Sequence, residues 1–370
     1  MKSSNSYNRY QRQLILKGFG PIAQDKLSNA SVLVIGAGGL GCPLLQYLVA
    51  AGVGHIGIAD DDIVSLSNLH RQVLFTMEDI GKSKVEVAKK RLQSMNDEVD
   101  ITTWNERWTQ QHCVDHFNDY DLIVDATDNF SSRYLINDAA VLMGKTLVFG
   151  AVSQFEGQVA VFNYPTEGDN RSVNYRDYFS TPPKNGEVLN CSEAGVLGVL
   201  PGIIGTMQAT EVIKILTGIG KPLINKILTY NSITHESYML ELEKKSILDN
   251  LPTNIENFLK TNYAELCGIS YFGIDEIDVD EWDKQKGNLL LVDIREAHEL
   301  PKLSELPHLA IPLSELHNRL NELTDANVVF VCQSGRRSLQ AVMMLKNEII
   351  LSKVFSLKGG VDEMLTQKII

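Results

Sequence analysis

Val32-Leu33-Val34-Ile35-Gly36-Ala37-Gly38-Gly39-Leu40-Gly41 reads as a strand running into a phosphate-binding turn. Gly36 permits the sharp turn, Gly38 lets the backbone approach a phosphate, and Gly41 lets the next helix pack on the strand. That helix, expected from Cys42 to Ala51, points its N-terminal amides at the anion. Pro43 suits its first turn, where no N–H partner is needed. A second apolar run, His55 to Ala59, ends in Asp60, and an acid about twenty positions past the glycines takes ribose hydroxyls. Taken alone, the turn fits NAD and a nicotinamide-dependent oxidoreductase.

Working outward, strand-like runs at Val32–Ile35, Ile56–Ala59, Leu122–Val124, Leu147–Phe149 and Val159–Phe162 alternate with helical patterns at Lys82–Met95 and Arg133–Met143. The alternation predicts a Rossmann-like α/β domain with parallel strands over residues 1–243. Residues 165–190, with Pro165, Pro182 and Pro183, read as a long loop. The mixed-charge stretch 244–268 reads as a linker. A second α/β pattern, with strands at Leu289–Val292 and Val328–Val331 and a helix at Ser338–Lys346, fills residues 269–370, a length that suits one small domain.

The 370 residues are 44% hydrophobic and 22% charged, ordinary for a globular protein. A net charge of −12 argues against bulk electrostatic binding to nucleic acid or membrane. The apolar stretch Gly195–Leu216 contains Pro201, Gln208, Glu211 and Lys214 and reads as a buried amphipathic helix. Five widely spaced cysteines (Cys42, Cys113, Cys191, Cys267, Cys332) predict no disulfide framework, and none form a C-x-x-C pair. With a polar start lacking the apolar core of a signal peptide, they predict a cytoplasmic protein.

The residues after Asp60 point away from NAD. In Ser65-Leu66-Ser67-Asn68-Leu69-His70-Arg71-Gln72, Arg71 is a candidate phosphate clamp, and Asn68 reaches a phosphate or ribose. Lys84 opens a helix, placed to neutralise triphosphate charge. Asp125-Ala126-Thr127-Asp128-Asn129 follows the strand Leu122–Val124, at the carboxyl end where open α/β sheets bind ligands. Asp128 offers oxygens suited to Mg²⁺. Singly, Arg71 and Lys84 read as solvated charges, and Asp128-Asn129 as a helix cap; the cluster carries the functional reading.

Arg9-Tyr10-x-Arg12-Gln13, the glycine turn, Asp60, Ser-Leu-Ser-Asn-Leu-His-Arg-Gln, Asp-Ala-Thr-Asp-Asn and Cys191-Ser192-Glu193-Ala194-Gly195-Val196-Leu197-Gly198 occur in that order. Over roughly residues 7–240 the chain resembles the E1-like MoeB/ThiF family, which adenylates the C-terminal glycine of a ubiquitin-like carrier protein. The resemblance implies that the loop of Gly36, Gly38, Gly39 and Gly41 cradles ATP phosphates and Asp60 binds ribose. Asn68, Arg71 and Lys84 then contact phosphates, and Asp128 holds magnesium. It implies a homodimer in which Arg12 reaches the partner's site, and it makes Cys191 a thiol that bonds the activated carrier in some relatives. The family often binds zinc through two C-x-x-C pairs. Here Asn174-Tyr175-Arg176-Asp177 stands at the first, and residues 240–250 hold no cysteine, so no zinc site is expected.

In the second domain Val328-Val329-Phe330-Val331 leads into Cys332-Gln333-Ser334-Gly335-Arg336-Arg337-Ser338 and a helix. Loop amides, the helix dipole and two arginines there favour a thiolate nucleophile. The C-x-x-G-x-R-S spacing, with Leu291-Val292-Asp293-Ile294-Arg295-Glu296, Ile311-Pro312-Leu313 and Leu357-Lys358-Gly359-Gly360, resembles a rhodanese sulfurtransferase, whose cysteine carries sulfur as a persulfide.

Together these imply an enzyme that uses Mg-ATP to adenylate a sulfur-carrier protein ending in Gly-Gly, then delivers sulfur from Cys332 to give a thiocarboxylate, with Cys191 releasing product through a transient disulfide. The chain itself ends Ile369-Ile370, so the carrier is expected as a separate protein. A cysteine desulfurase is the expected type of sulfur donor, and molybdopterin and thiamine biosynthesis the expected pathways. The alternatives are an NAD-dependent oxidoreductase, which leaves Arg71, Lys84 and Asp128 without roles, and a non-catalytic scaffold, which requires an unreactive Cys332.

Overall fold

A computed structural model describes residues 4–168, 170–182, 195–245, 251–267, 275–297, 299–304, 306–323, 327–345, 353–367 and 369. The chain forms two compact units, residues 1–269 and 270–370.

The first unit opens with helices α1 (Ser4–Leu14) and α2 (Gly20–Asn29). There follow β1 (Ser31–Ile35), α3 (Gly41–Ala51), β2 (His55–Ala59), α4 (Lys84–Met95), β3 (Asp100–Trp104), α5 (Gln110–His116), β4 (Leu122–Asp125) and α6 (Phe130–Leu142). Then come β5 (Thr146–Ser153), β6 (Glu156–Phe162), α7 (Tyr175–Tyr178), α8 (Val199–Thr217), β7 (Lys226–Asn231), β8 (Ser237–Glu241), α9 (Ile255–Lys260) and α10 (Tyr263–Leu266). The strands form one sheet in the order β3-β2-β1-β4-β5-β6-β7-β8. Val32 and Val34 enter one core cluster and Leu33 and Ile35 another, as expected when alternate side chains of a strand point to opposite faces and both are covered. The parallel strand β1 lies between β2 and β4, so the chain order reverses there. Ligands bind at such a reversal, beyond the carboxyl ends of the strands.

Three elements depart from or refine the sequence reading. β6, β7 and β8 run antiparallel rather than parallel. Only Gln154 and Phe155 join β5 to β6, too few for a crossover, and Gln154 makes the turn at φ 51° without a glycine to announce it. The stretch expected as a linker is partly core: Phe258, Tyr263 and Cys267 are buried among the side chains of the first unit. The apolar segment is α8, which lays Leu200, Ile204, Gln208 and Val212 inward and packs on β5, β6 and α3.

At the position of the family's first C-x-x-C pair, Asn174 caps α7. The Asp177 carboxylate accepts the Asn174 amide at 2.7 Å through Oδ2 and the Lys245 amide at 2.8 Å through Oδ1. Arg176, 0% exposed, donates from Nε and Nη2 to the two Asp138 oxygens, both at 2.7 Å, and lies over the Tyr134 ring. The Tyr263 hydroxyl donates to Asp138 at 2.8 Å. Residues 174–177 provide no thiol or imidazole, and both Asp177 oxygens are engaged by backbone amides, so this donor set does not fit zinc.

The second unit contains β9 (Asp275–Ile277), α11 (Val279–Gln285), β10 (Leu290–Asp293), β11 (Leu309–Ala310), β12 (Asn327–Val331), α12 (Arg336–Leu345), β13 (Lys353–Leu357) and α13 (Gly360–Thr366). Its five strands are parallel in the order β11-β10-β12-β13-β9. Val328 and Phe330 fill one core face, Val329 and Val331 the other.

Candidate active site

The glycine turn is shaped by close backbone approach. Gly36 adopts φ +103°, and a Cβ there would sit 2.6 Å from the Ala126 carbonyl oxygen. A Cβ on Gly41 would sit 2.1 Å from the Gly36 carbonyl oxygen, so α3 starts against the strand end only with glycine at that place. At Gly39 the neighbours are Pro201 Cβ at 3.0 Å and Arg71 Cγ at 3.5 Å; at Gly38 the nearest is Gln72 Nε2 at 3.6 Å.

Charged groups ring this turn. Asp60 Oδ2 accepts the Ala37 amide at 2.7 Å and Oδ1 the Asp62 amide at 2.9 Å, which ties the end of β2 to the glycine loop. Burial pushes the Asp60 carboxyl up, against the pull of Lys84 and those two amides. Lys84 is 4% exposed and donates to Asp62 Oδ2 at 2.9 Å. Burial works to lower the pKa of its ammonium, but Asp60, Asp62 and Asp128 together hold it above the usual lysine range. Lys84 is therefore a buried cation aimed at the acids of the site rather than a solvated charge.

Asp128 is exposed beyond the end of β4, in the field of both Lys84 and Asp125. Its neighbour Asn129 supplies the helix cap, accepting the Ser132 amide at 2.9 Å, which leaves the Asp128 oxygens available. Asp125, 0% exposed, fixes the turn: Oδ1 accepts the Thr127 amide at 2.9 Å and its hydroxyl at 2.6 Å. Asp125 Oδ2 is buried with no hydrogen-bond partner among the described residues. The exposed Asp128 carboxylate offers hard oxygen donors that fit a magnesium ion, and Asp60, Asp61 and Asp62 form a separate acidic group whose ligand atoms lie within 4.8 Å of one another.

Asn68 closes a 3₁₀ turn, Leu66–Asn68, with Oδ1 accepting the Ser65 amide at 3.3 Å. Arg71 follows it, its stem over Gly39 and its Nη1 donating to the Ser67 carbonyl at 3.0 Å. The fold thus gathers the glycines, Asp60, Asn68, Arg71, Lys84 and Asp128. Arg12 is exposed on α1, and no described contact brings it to this loop. Cys191 lies outside the described residues. Cys42 is fully buried and burial pushes its thiol up to about 12, a packing role.

Three side chains at the site escaped the sequence reading. Gln72 is 3% exposed beside Gly38, and its Oε1 is unpartnered among the described residues. Gln208 of α8 donates to the Asp125 carbonyl at 2.8 Å across the space that Gly150 leaves. Arg133 lies over the Phe130 and Phe149 rings with Nε unpartnered among the described residues. Arg133 was discoverable, in the first turn of the helix that follows Asp128; Gln208 was not, because its partner is distant in sequence.

In the second unit Cys332 is 1% exposed at the end of β12, and its Sγ accepts the Ser338 amide at 3.4 Å. Gly360, at φ +60°, brings the start of α13 against this loop; a Cβ there would sit 2.2 Å from the Cys332 carbonyl oxygen. Of the two arginines expected beside the sulfur, Arg337 is clamped by both Glu299 oxygens at 2.6 Å, so its charge is shared. The Arg336 side chain is outside the described set. Arg295 pairs with Asp293 and donates to Gln333 Oε1 at 3.0 Å, holding the loop from the side.

Burial alone would raise the Glu299 carboxyl, but the Arg337 hydrogen bonds and the Glu296 amide hold it below the usual range. A carboxyl depressed on folding contributes stability above its unfolded pKa, about 4.3, and loses it as pH falls through the folded value. Glu299→Gln is therefore expected to lower the thermal midpoint of the second unit at pH 7, with the gap to wild type closing below about pH 4. A gap independent of pH, in paired melts with peptide-resolved hydrogen exchange, would contradict this account.

The ThiF family model matches residues 10–249, and the rhodanese-like domain model matches residues 278–367. A sulfur carrier protein adenylyltransferase of Thermus thermophilus is 48% identical over 265 residues, covering 71% of this chain and 97% of the relative. The adenylyltransferase and sulfurtransferase MOCS3 of Arabidopsis thaliana is 36% identical over 377 residues, covering 93% of this chain and 80% of the relative. Among solved structures, E. coli MccB superposes with a TM-score of 0.57 at 23% identity, covering 66% of this chain and 75% of that one, a likeness of fold. The chain belongs to the ThiF family and carries a rhodanese-like domain.

Proposed function

We propose that this enzyme adenylates the C-terminal carboxylate of a ubiquitin-like sulfur-carrier protein ending in Gly-Gly and then delivers sulfur to it from Cys332. The observation that carries the reading is the pairing, in one chain, of a charge-ringed phosphate turn with a cysteine loop of rhodanese spacing. A relative similar over 93% of the chain carries both activities in its name. A carrier carboxylate oxygen attacks the α-phosphorus of ATP, the new P–O bond forms, and pyrophosphate leaves. The work is positioning and charge neutralisation. The turn amides with Arg71, Asn68 and Lys84 receive the phosphates, and Asp60 the ribose. Asp128 would hold Mg²⁺, which supplies Lewis-acid stabilisation of phosphate charge when bound.

The terminal sulfur of a Cys332 persulfide then attacks the acyl carbon and AMP leaves. A second thiol, for which Cys191 is the candidate, takes the Cys332 sulfur into a disulfide and frees the thiocarboxylate. An external thiol reductant resets the disulfide. Cytoplasmic location, a homodimer sharing Arg12, a cysteine desulfurase as donor, and a molybdopterin or thiamine route belong to the same proposal. Cys332→Ala is expected to keep carrier-dependent ATP–pyrophosphate exchange within about twofold while thiocarboxylate formation falls at least about a hundredfold. Unchanged thiocarboxylation in that variant, read by intact mass, would sink the sulfur half.

A further inference from the structure

We propose that Ser356 is a positioning residue for Cys332, acting through the hydroxyl of Ser338; the inference rests on the sulfur-transfer reading above. Ser356 sits on β13, beside Phe330 in the register of β12 and β13. The centre of a parallel sheet is normally filled with aliphatic side chains. Here Ser356 and Ser338 are both 0% exposed. Their hydroxyl oxygens are 2.8 Å apart.

The Ser338 hydroxyl has one proton and three neighbours able to accept it: the Gly335 carbonyl at 2.8 Å, Ser356 Oγ at 2.8 Å and Cys332 Sγ at 3.6 Å. The Gly335 carbonyl already accepts the Leu339 amide at 3.2 Å and does not depend on Ser338. Ser356 Oγ lies 3.5 Å from the same carbonyl, so its own proton goes either to that oxygen or to Ser338 Oγ. Neither choice consumes the Ser338 proton: the first leaves it to Ser356 Oγ or to sulfur, the second to the Gly335 carbonyl or to sulfur, and an ionised sulfur is the strongest of these acceptors. The first replaces Ser338 at the carbonyl. The second makes Ser338 a stronger donor, because hydrogen bonds in a chain polarise one another. A negatively charged sulfur would then have two donors, the Ser338 amide and the Ser338 hydroxyl, and donation to an ionised acceptor is the strong kind.

The charged groups around the loop are independent of this chain. Arg337 is held by Glu299, Arg295 by Asp293, and Gln333 joins Arg295 to Asp362. Neither serine touches them among the described contacts. Ser356 thus reaches the sulfur only through Ser338, without contact to any reacting atom.

The test uses the full-length chain, with iodoacetamide modification of Cys332 followed by peptide mass spectrometry, and sulfur loading from thiosulfate followed by cyanide release. Ser356→Ala is expected to slow Cys332 alkylation at neutral pH about three- to tenfold, the worth of one hydrogen bond, and to move its pH profile to higher pH. Ser356→Thr, which keeps the hydroxyl, is expected to restore both. Ser338→Ala should cost at least as much. Wild-type alkylation and profile in Ser356→Ala, alongside slow alkylation in Ser338→Ala, would overturn the role of Ser356. An equal loss in Ser356→Thr and Ser356→Ala would overturn it too, because shape and not the hydroxyl would then matter. Failure of the wild-type chain to load sulfur would overturn the sulfur-transfer reading, while the alkylation comparison would still decide the serine chain.

Discussion

Asp128→Asn is expected to slow carrier-dependent ATP–pyrophosphate exchange by about a hundred- to a thousandfold, the usual cost of losing one group that stabilises transition-state charge. The substitution keeps shape and removes only the negative charge. Asp128 is exposed and caps nothing, since Asn129 holds the start of α6. Stability should therefore be nearly unchanged, which separates a chemical role from a structural one. The loss should fall on kcat/KM and deepen as magnesium is lowered. Exchange within about tenfold of wild type would move the metal role elsewhere. The remaining oxygens at hand are those of Asp60, Asp61 and Asp62, whose ligand atoms all lie within 4.8 Å of one another.

The second large effect concerns stability. Arg176→Met is expected to destabilise the first unit by about 3–5 kcal/mol, because it strands a buried carboxylate. Asp138 is 0% exposed, and burial pushes its carboxyl up against the pull of Arg176. Tyr263 and Asn137 cannot replace a cation. Exchanging both partners, in Arg176→Met with Asp138→Leu, should recover most of the loss, since apolar pairs of similar volume often match buried ion pairs. Urea unfolding of the full chain in a Trp282→Phe background reports on Trp104 and Trp108 of the first unit. A single variant within about 1 kcal/mol of wild type would show that the pair does not brace this region. Its position explains why bracing is needed. The Asp177 bond to Lys245 and the Tyr263 bond to Asp138 draw segments distant in sequence together around it.

The sequence foretold most of what local chemistry controls. The strand, the turn, the acid at the end of β2 and the Asp-Ala-Thr-Asp-Asn segment are each short-range patterns whose geometry follows from residue type. The antiparallel half of the sheet was not legible, because Gln154 carries the positive φ that glycine usually advertises. Burial of Lys84 was not legible either: a lysine at a helix start reads as solvated until three acids from other segments surround it. The same holds for α9 and α10, polar enough to pass for a connector although three of the residues from 258 to 267 reach the core. The expectation of two arginines beside Cys332 missed Glu299, 38 residues before Arg337, which shares that charge although Arg337 still lies in the field of Cys332.

The four glycines of the opening turn answer to different demands. At 36 and 41 a methyl would strike a carbonyl oxygen, and the polypeptide enforces glycine whether or not a nucleotide ever arrives. At 38 a methyl would meet only the end of Gln72 at ordinary contact distance. The fold is indifferent there, and a guest alone would object. At 39 the methyl would press on Pro201 at 3.0 Å, so of the four positions only 38 is left for the phosphate to decide.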